Sequence, residues 1–165
     1  MKREQVTIFC DGSCYWKLRK GGSGVYIQWN DNEYFIQQGY ENTTINRCEL
    51  RAILLALNAL NNKKPLIVII WSDSQYVVNG MKSIVDIASK NFEGIENQDL
   101  WRKVYDELKR LEKRVRVRIN WTPGHGKDMN DPIVFGNAVA DLLADYKQFD
   151  SYEEDIKLND YGKME

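Results

Sequence analysis

Five residues of this chain pair a reactive side chain with a position where it could be used. Asp11 closes the first apolar run, "QVTIFCDG", and Asp73 closes another, "PLIVIIWSD". Glu49 lies in "NRCELRAILLALNALNN", one turn before Ile53 and beside Leu50. Asp141 sits in "GNAVADLLA", one turn ahead of Asp145. His125, the single histidine, follows a Pro-Gly pair and enters a polar loop. Carboxylates gathered without basic partners repel one another, and divalent cations relieve that repulsion. Hard oxygen ligands select magnesium or manganese over zinc. Two such ions about 3.5–4 Å apart can activate a water and stabilise the leaving oxygen of a phosphodiester.

Each residue also has a plain structural use. Asp11 before Gly12 could shape a turn. Asp73 with Ser74 could cap a helix. Asn46 and Glu49 have capping-box spacing. Asp141 could belong to an exposed acidic face, and spacing leaves open whether it or Asp145 points inward. His125 could cap or pack within its turn. A single cation-binding cluster accounts for all four acids together, where the structural uses need four separate accounts.

The elements that must position these groups follow from periodicity. "QVTIFCDG" reads as a strand, and "GVYIQWN" and "EYFIQQG" flank "DN" as a hairpin. Residues 46–62 place Leu50, Ile53, Leu54, Leu57 and Leu60 on one helical stripe. "PLIVIIW" is an unbroken β-branched run, the pattern of a strand buried on both faces. "SDSQYVVNGM" starts a capped helix, and "NQDLWRKVYDELKRLEKR" is amphipathic through Leu100, Val104, Leu108 and Leu111. "VRVRINW" alternates as a strand with one basic edge, and "GNAVADLLADYKQF" is the last helix. The order β-β-β-α-β-α-α-β-α predicts an α/β fold with a mixed sheet flanked by helices. A right-handed crossover makes the strands ending at Asp11 and Asp73 parallel, so both carboxylates project from one end of the sheet. That end is where open α/β sheets do chemistry.

Bulk composition bounds the rest. The 165 residues, 43% hydrophobic and 28% charged, are read as one domain over 1–149 and an acidic tail over 150–165 expected to be loosely ordered. No run of 18 apolar residues offers a membrane span, and the start of the chain turns polar too soon for a signal peptide. Cys10, Cys14 and Cys48 leave an odd thiol in any pairing, which favours a reducing, cytoplasmic setting. The net charge of −1 hides a −4 in residues 150–165, so the remainder carries +3. Its cations cluster at Lys17, Arg19 and Lys20, at Arg102 and Lys103, and from Lys109 to Arg118.

Taken in order, "CDGSC", "TTINRCELRAILLAL", "WSDSQYVVNGM", "NQDLWRKVYDEL" and "GH…GNAVADLLA" resemble type 1 ribonuclease H over about residues 5 to 147. The resemblance implies the ribonuclease H-like fold, with a five-stranded mixed sheet surrounded by helices. It implies endonucleolytic cutting of the RNA strand of an RNA–DNA hybrid by a monomer with two Mg2+ ions, Mn2+ being a substitute. It puts Asp11, Glu49, Asp73 and Asp141 at the family's metal-ligand positions and His125 at its loop histidine. On this resemblance Gly12, Ser13, Asn46 and Gln75 meet RNA sugars and backbone. Thr44, Arg47 and nearby basic residues meet DNA phosphates, and Lys17 and Asn137 join the substrate contacts. His125 would give a proton to the departing 3′ oxygen, a task suited to imidazole near neutrality.

The chain departs from the family in two informative places. "YWKLRKGG" replaces a glycine- and proline-rich turn after the first strand. The segment matching a basic substrate-binding protrusion, residues 82–97, has Lys82 and Lys90 against Asp86, Glu93 and Glu96. Phosphate binding is therefore expected to shift toward Lys17, Arg19 and Lys20. Two other functions compete: a related nuclease acting on DNA, and a non-catalytic hybrid-binding module. The "DGS" and "CEL" segments favour the hybrid nuclease over the first, and four intact acids weigh against the second.

Overall fold

The computed structural model describes residues 2–156. Strand β1 (Glu4–Tyr15) runs through the middle of the sheet, pairing antiparallel with β2 (Lys20–Trp29) and parallel with β4 (Leu66–Ser72). β2 continues antiparallel into β3 (Asn32–Glu41), and β4 pairs parallel with β5 (Val115–Trp121). The sheet order is β5-β4-β1-β2-β3-β6, where β6 is Glu153–Glu154 alongside Tyr40 and Glu41. Cys10 lies opposite Ser72 in the β1–β4 register, so Asp11 and Asp73 leave the same end of the sheet.

The helices are α1 (Ile45–Ala59), α2 (Gln75–Lys82), α3 (Ile84–Ser89), α4 (Gln98–Leu111) and α5 (Pro132–Leu143). The stripe of Leu50, Ile53, Leu54, Leu57 and Leu60 is buried as the periodicity requires. Each such side chain contributes about 1.5–3 kcal/mol on leaving water. They meet Val6, Ile8 and Cys10 of β1 in the larger core, backed by Leu100, Val104 and Leu111 of α4. Alternation along β1 sends Phe9 to the other face, where it joins Tyr26 and Ala140 of α5 in a smaller core. Asp11 shares the parity of Phe9 and is carried to the α5 side.

Four details differ from the sequence reading. A two-residue sixth strand extends the expected five. A short extra helix, α3, occupies part of residues 82–97. The last helix begins at Pro132 rather than Gly136, because Asp131 caps it by accepting the Ile133 and Val134 N–H groups. The stretch read as a loose tail is in part built into the fold. Glu153–Glu154 adds to the sheet, and the Asp155 side chain is fully buried. The rest of that stretch, 157–165, lies outside the described residues.

Candidate active site

Three carboxylates converge where the parallel pairing of β1 with β4 ends, just past Cys10 and Ser72. Single oxygen atoms of Asp11, Glu49 and Asp73 all lie within 4.8 Å of one another. The local structure releases each acid from its simpler use. Thr44, not Asn46, caps α1 by accepting the Arg47 N–H, so Glu49 is free of a capping box. Ser74 caps α2 by accepting the Val77 N–H, so Asp73 is not the cap. Asp11 does accept the N–H of Gly12 at 2.9 Å, which orients it without consuming its second oxygen. The Glu49 Oε2 is buried with no hydrogen-bond partner among the described residues. A buried carboxylate oxygen without a donor is costly unless a proton or a cation meets it.

Two glycines set the approach of the helices. A Cβ on Gly12 would stand 2.5 Å from the Glu49 nitrogen, so any larger residue would push α1 off the strand end. A Cβ on Gly24, opposite Asp11 in register, would stand 2.4 Å from the Ala140 carbonyl oxygen. That space lets α5 bring Asp141 close enough to Asp11 for its charge to help raise the Asp11 carboxyl, although the 4.8 Å group itself holds only Asp11, Glu49 and Asp73. Asp145, the other candidate, lies beyond the helix, exposed, and accepts the Lys147 N–H.

Electrostatics follow from this crowding. Burial pushes the Asp11 carboxyl far above the usual carboxylate range, and the charges of Glu49 and Asp73 push it further. Burial raises Glu49 as well, helped by the neighbouring charge of Asp73. Like charges this close do not both ionise in a low-dielectric setting, so the metal-free cluster retains protons. The donor set and the partnerless Glu49 oxygen fit a hard divalent cation.

A cavity of about 240 Å³ opens beside the cluster, lined among others by Asp73, His125, Met129, Asn137 and Asp141. His125 is exposed on the loop after β5, in the left-handed region at φ 57. Asn137 is buried, and its Nδ2 donates to Asp73 Oδ2 at 3.4 Å while its Oδ1 has no partner among the described residues. It therefore steadies the carboxylate cluster from within, a role that its place in the sequence had not indicated.

The other expected contacts divide. Gln75 is exposed at the start of α2, Asn46 is half-buried in the first turn of α1, and Lys17 is exposed on the β1–β2 turn. The Ser13 hydroxyl is used internally, donating to the Ala144 carbonyl and accepting the Tyr146 N–H. Arg47 is the clearest correction. It is 5% exposed, and its guanidinium is taken by Asp99 at 2.9 and 2.7 Å and by Asp155 at 2.8 and 3.0 Å. Asp155 also accepts from Thr43 and from Arg51. A guanidinium so engaged has no free fork for a DNA phosphate. The sequence carried no local signal for this cluster, because its acids lie 52 and 108 residues from Arg47.

Comparison with known proteins identifies the family of the chain. The family model described as RNase H matches residues 3–148. Ribonuclease H of Haemophilus influenzae (strain 86-028NP) is 36% identical over 129 residues, covering 74% of this chain and 80% of its own length. Ribonuclease HI of Pasteurella multocida is 37% identical over 137 residues, 79% of this chain and 85% of the relative. Ribonuclease H of Actinobacillus pleuropneumoniae serotype 5b is 33% identical over 160 residues, 93% and 97%. A crystal structure of LC9-RNase H1, a type 1 RNase H with the type 2 active-site motif, superposes with a TM-score of 0.72 at 24% identity. It covers 87% of this chain and 72% of that one, and speaks for the fold.

Proposed function

Because the chain belongs to the RNase H family, it is an endoribonuclease that cuts the RNA strand of RNA–DNA hybrids, and we propose that Asp11, Glu49, Asp73 and Asp141 do so around two divalent cations. The proposed products are 5′-phosphate and 3′-hydroxyl ends. The observation that carries the site assignment is the meeting of Asp11, Glu49 and Asp73 within 4.8 Å, with Glu49 Oε2 left unpartnered. Magnesium is the ion proposed, with manganese as its substitute, since an all-oxygen donor set favours hard cations. Bound there, such cations supply an activated water and neutralise charge on the phosphate.

The remaining steps belong to the chain's own residues. Asp11 and Asp73 are fixed by adjacent parallel strands, and Asn137 holds Asp73 in orientation. Asp141 closes the cluster from α5. His125, on the rim of the same cavity, hands a proton to the departing 3′ oxygen and then withdraws with its loop. The backbone near Gly12 and Ser13, with Asn46 and Gln75, meets the 2′-hydroxyls that mark RNA across a wide minor groove. Thr44 keeps its hydroxyl proton for a DNA phosphate, because its oxygen serves the helix only as an acceptor. We read the chain as a monomer of a reducing compartment, where the free thiols of Cys10, Cys14 and Cys48 persist. No helix among the described residues is long and apolar enough to cross a membrane.

The test is cutting of labelled RNA–DNA, RNA–RNA and DNA–DNA duplexes with and without magnesium. Only the hybrid should be cut, only with the metal, and not by Asp11→Asn or Asp73→Asn, both of which should keep the wild-type circular dichroism. Cutting of the DNA duplex would favour the DNA nuclease, and binding of hybrid without any cutting would favour the non-catalytic module. A near wild-type rate for either aspartate variant would overturn the site assignment.

A further inference from the structure

The β1–β2 turn leaves the sheet at the same end as Asp11 and carries an unusual surface. Trp16 is 75% exposed and Leu18 61% exposed. The turn is closed by the Arg19 N–H on the Trp16 carbonyl at 3.3 Å, with Arg19 left-handed at φ 52. It is anchored to the body by the Thr43 N–H, which donates to the Arg19 carbonyl. Residues 12–24 hold Lys17, Arg19 and Lys20 and no acid. None of these three cations enters an ion pair among the described residues, though Glu41 stands opposite Lys20 in the sheet register. Lys17 Nζ lies 5.7 Å from the Trp16 ring centroid. At the foot of the turn Tyr15 stacks on Tyr146 at 5.6 Å.

Lys20 Nζ lies over the Tyr152 ring at 4.7 Å from its centroid, while the indole, held out on the hairpin beside cations that make no ion pair among the described residues, serves no folding purpose that the contacts reveal. Aromatic faces bind nucleic acid by stacking on bases, and cations beside them hold the phosphates. Bases inside a duplex have both faces covered by their neighbours, so only an unpaired base can receive such a ring. Trp16 follows Asp11 by five positions, the four between them in strand β1, a reach of up to roughly 17 Å or about five base-pair steps. We propose that the β1–β2 turn is a second nucleic-acid site, where the Trp16 indole stacks on an unpaired base while Lys17, Arg19 and Lys20 hold the adjoining phosphates. The ligand is a single-stranded extension of the hybrid that the main site cuts. The proposal thus rests on the reading of the chain as a hybrid nuclease.

The experiment compares wild type with Trp16→Ala and Trp16→Phe. One arm measures binding of labelled single-stranded DNA and RNA oligonucleotides by anisotropy. The other measures kcat and KM on a blunt hybrid and on the same hybrid with a DNA or an RNA extension. Wild type should show a lower KM on an extended hybrid than on the blunt one. Trp16→Ala should remove that difference and weaken single-strand binding on the order of 5- to 150-fold, the range of one lost stacking contact. Its kcat and its KM on the blunt hybrid should not change, and Trp16→Phe should retain most of the effect. The DNA and RNA arms decide which strand's extension is held. The idea is overturned if Trp16→Ala binds single strands as well as wild type, or if it raises KM equally on blunt and extended hybrids. Should wild type fail to cut even the blunt hybrid, the nuclease reading fails, and the anisotropy arm still decides the role of Trp16. At such exposure neither substitution threatens the fold.

Discussion

Replacing Asp155 by alanine should destabilise the protein markedly, although the residue lies outside both cores. Its carboxylate has no exposed side-chain surface and accepts from Thr43 Oγ1 at 2.7 Å, from Arg47 Nε at 2.8 Å and from Arg51 Nη2 at 2.6 Å. Removing one partner from a buried ion pair costs about 3–5 kcal/mol, because the other charge stays behind unpaired. Here Arg47 keeps Asp99, and the Arg51 side chain is 20% exposed, so the lower end applies, about 3 kcal/mol. For a chain of this length that is a fall in Tm of roughly 6–12 °C. The pH dependence follows from the same contacts. Burial acts to raise the Asp155 carboxyl, but hydrogen bonds from Arg47, Thr43 and Arg51 outweigh it and leave it below its ordinary value. Asp99 is lowered too, chiefly by its hydrogen bonds from Arg47. A carboxylate whose folded value is depressed stabilises fully above its unfolded value of about 3.9 and loses that contribution as pH falls through the folded one. Thermal unfolding followed by circular dichroism should therefore show a wide gap between wild type and Asp155→Ala at neutral pH. The gap should close as pH drops below about 4. A neutral-pH shift under about 2 °C, or a gap that persists in acid, would refute this account of the cluster.

Three other outcomes are expected. Because burial and neighbouring charge raise the Asp11 and Glu49 carboxyls, magnesium binding should release protons, and its affinity should rise with pH through the neutral range; calorimetry in buffers of different ionisation enthalpy should register protons released, and a pH-independent affinity with none released would contradict it. His125→Ala should lower kcat roughly 10- to 1000-fold without abolishing cutting, as for one general acid–base group, and an unchanged rate across neutral pH would return His125 to a structural role. Replacing Lys17, Arg19 and Lys20 together by alanine should weaken hybrid binding more than replacing Lys82 and Lys90, and should flatten the slope of log affinity against log salt. Lys90 is already paired with Asp86 at 3.2 Å, so a larger loss from the Lys82/Lys90 variant would show that residues 82–97 hold the substrate after all.

The parts of the site legible in the sequence were those fixed by strand ends and helix periodicity. Asp11 and Asp73 each closed an apolar run, and pairing Cys10 with Ser72 makes the two runs neighbours. Glu49 lay beside the apolar stripe of α1, and that stripe is what packs on the sheet. Spacing could not choose between Asp141 and Asp145, since helix α5 stops between them at a point set by Ala144. The start of α5 was written in Asp131 and Pro132, a cap and a first-turn proline, yet the polar loop before them drew the boundary to the later glycine. Thr44 and Asn46 are both fair caps, and competition between them is settled by tertiary contacts rather than by propensity. Arg47 reads locally as a free cation near a helix start. Its partners come from α4 and from beyond residue 150, and no local pattern announces an ion pair of that span.

That span also orders events in time. A chain made at about 5–20 residues per second delivers Asp155 roughly 5–20 s after Arg47, the two being 108 positions apart. Asp99 arrives at about half that delay. For the remainder, a guanidinium destined for burial waits with one of its two carboxylates missing, in the first turn of the helix that bears Glu49. Nascent chains stalled just short of Asp155 should therefore be cut by protease within α1 more readily than chains stalled well past it. Equal resistance in the two would mean that Asp99 alone seats the helix. If the difference is found, the helix that carries Glu49 settles only once residues beyond position 150 have been made, long after its own sequence has emerged.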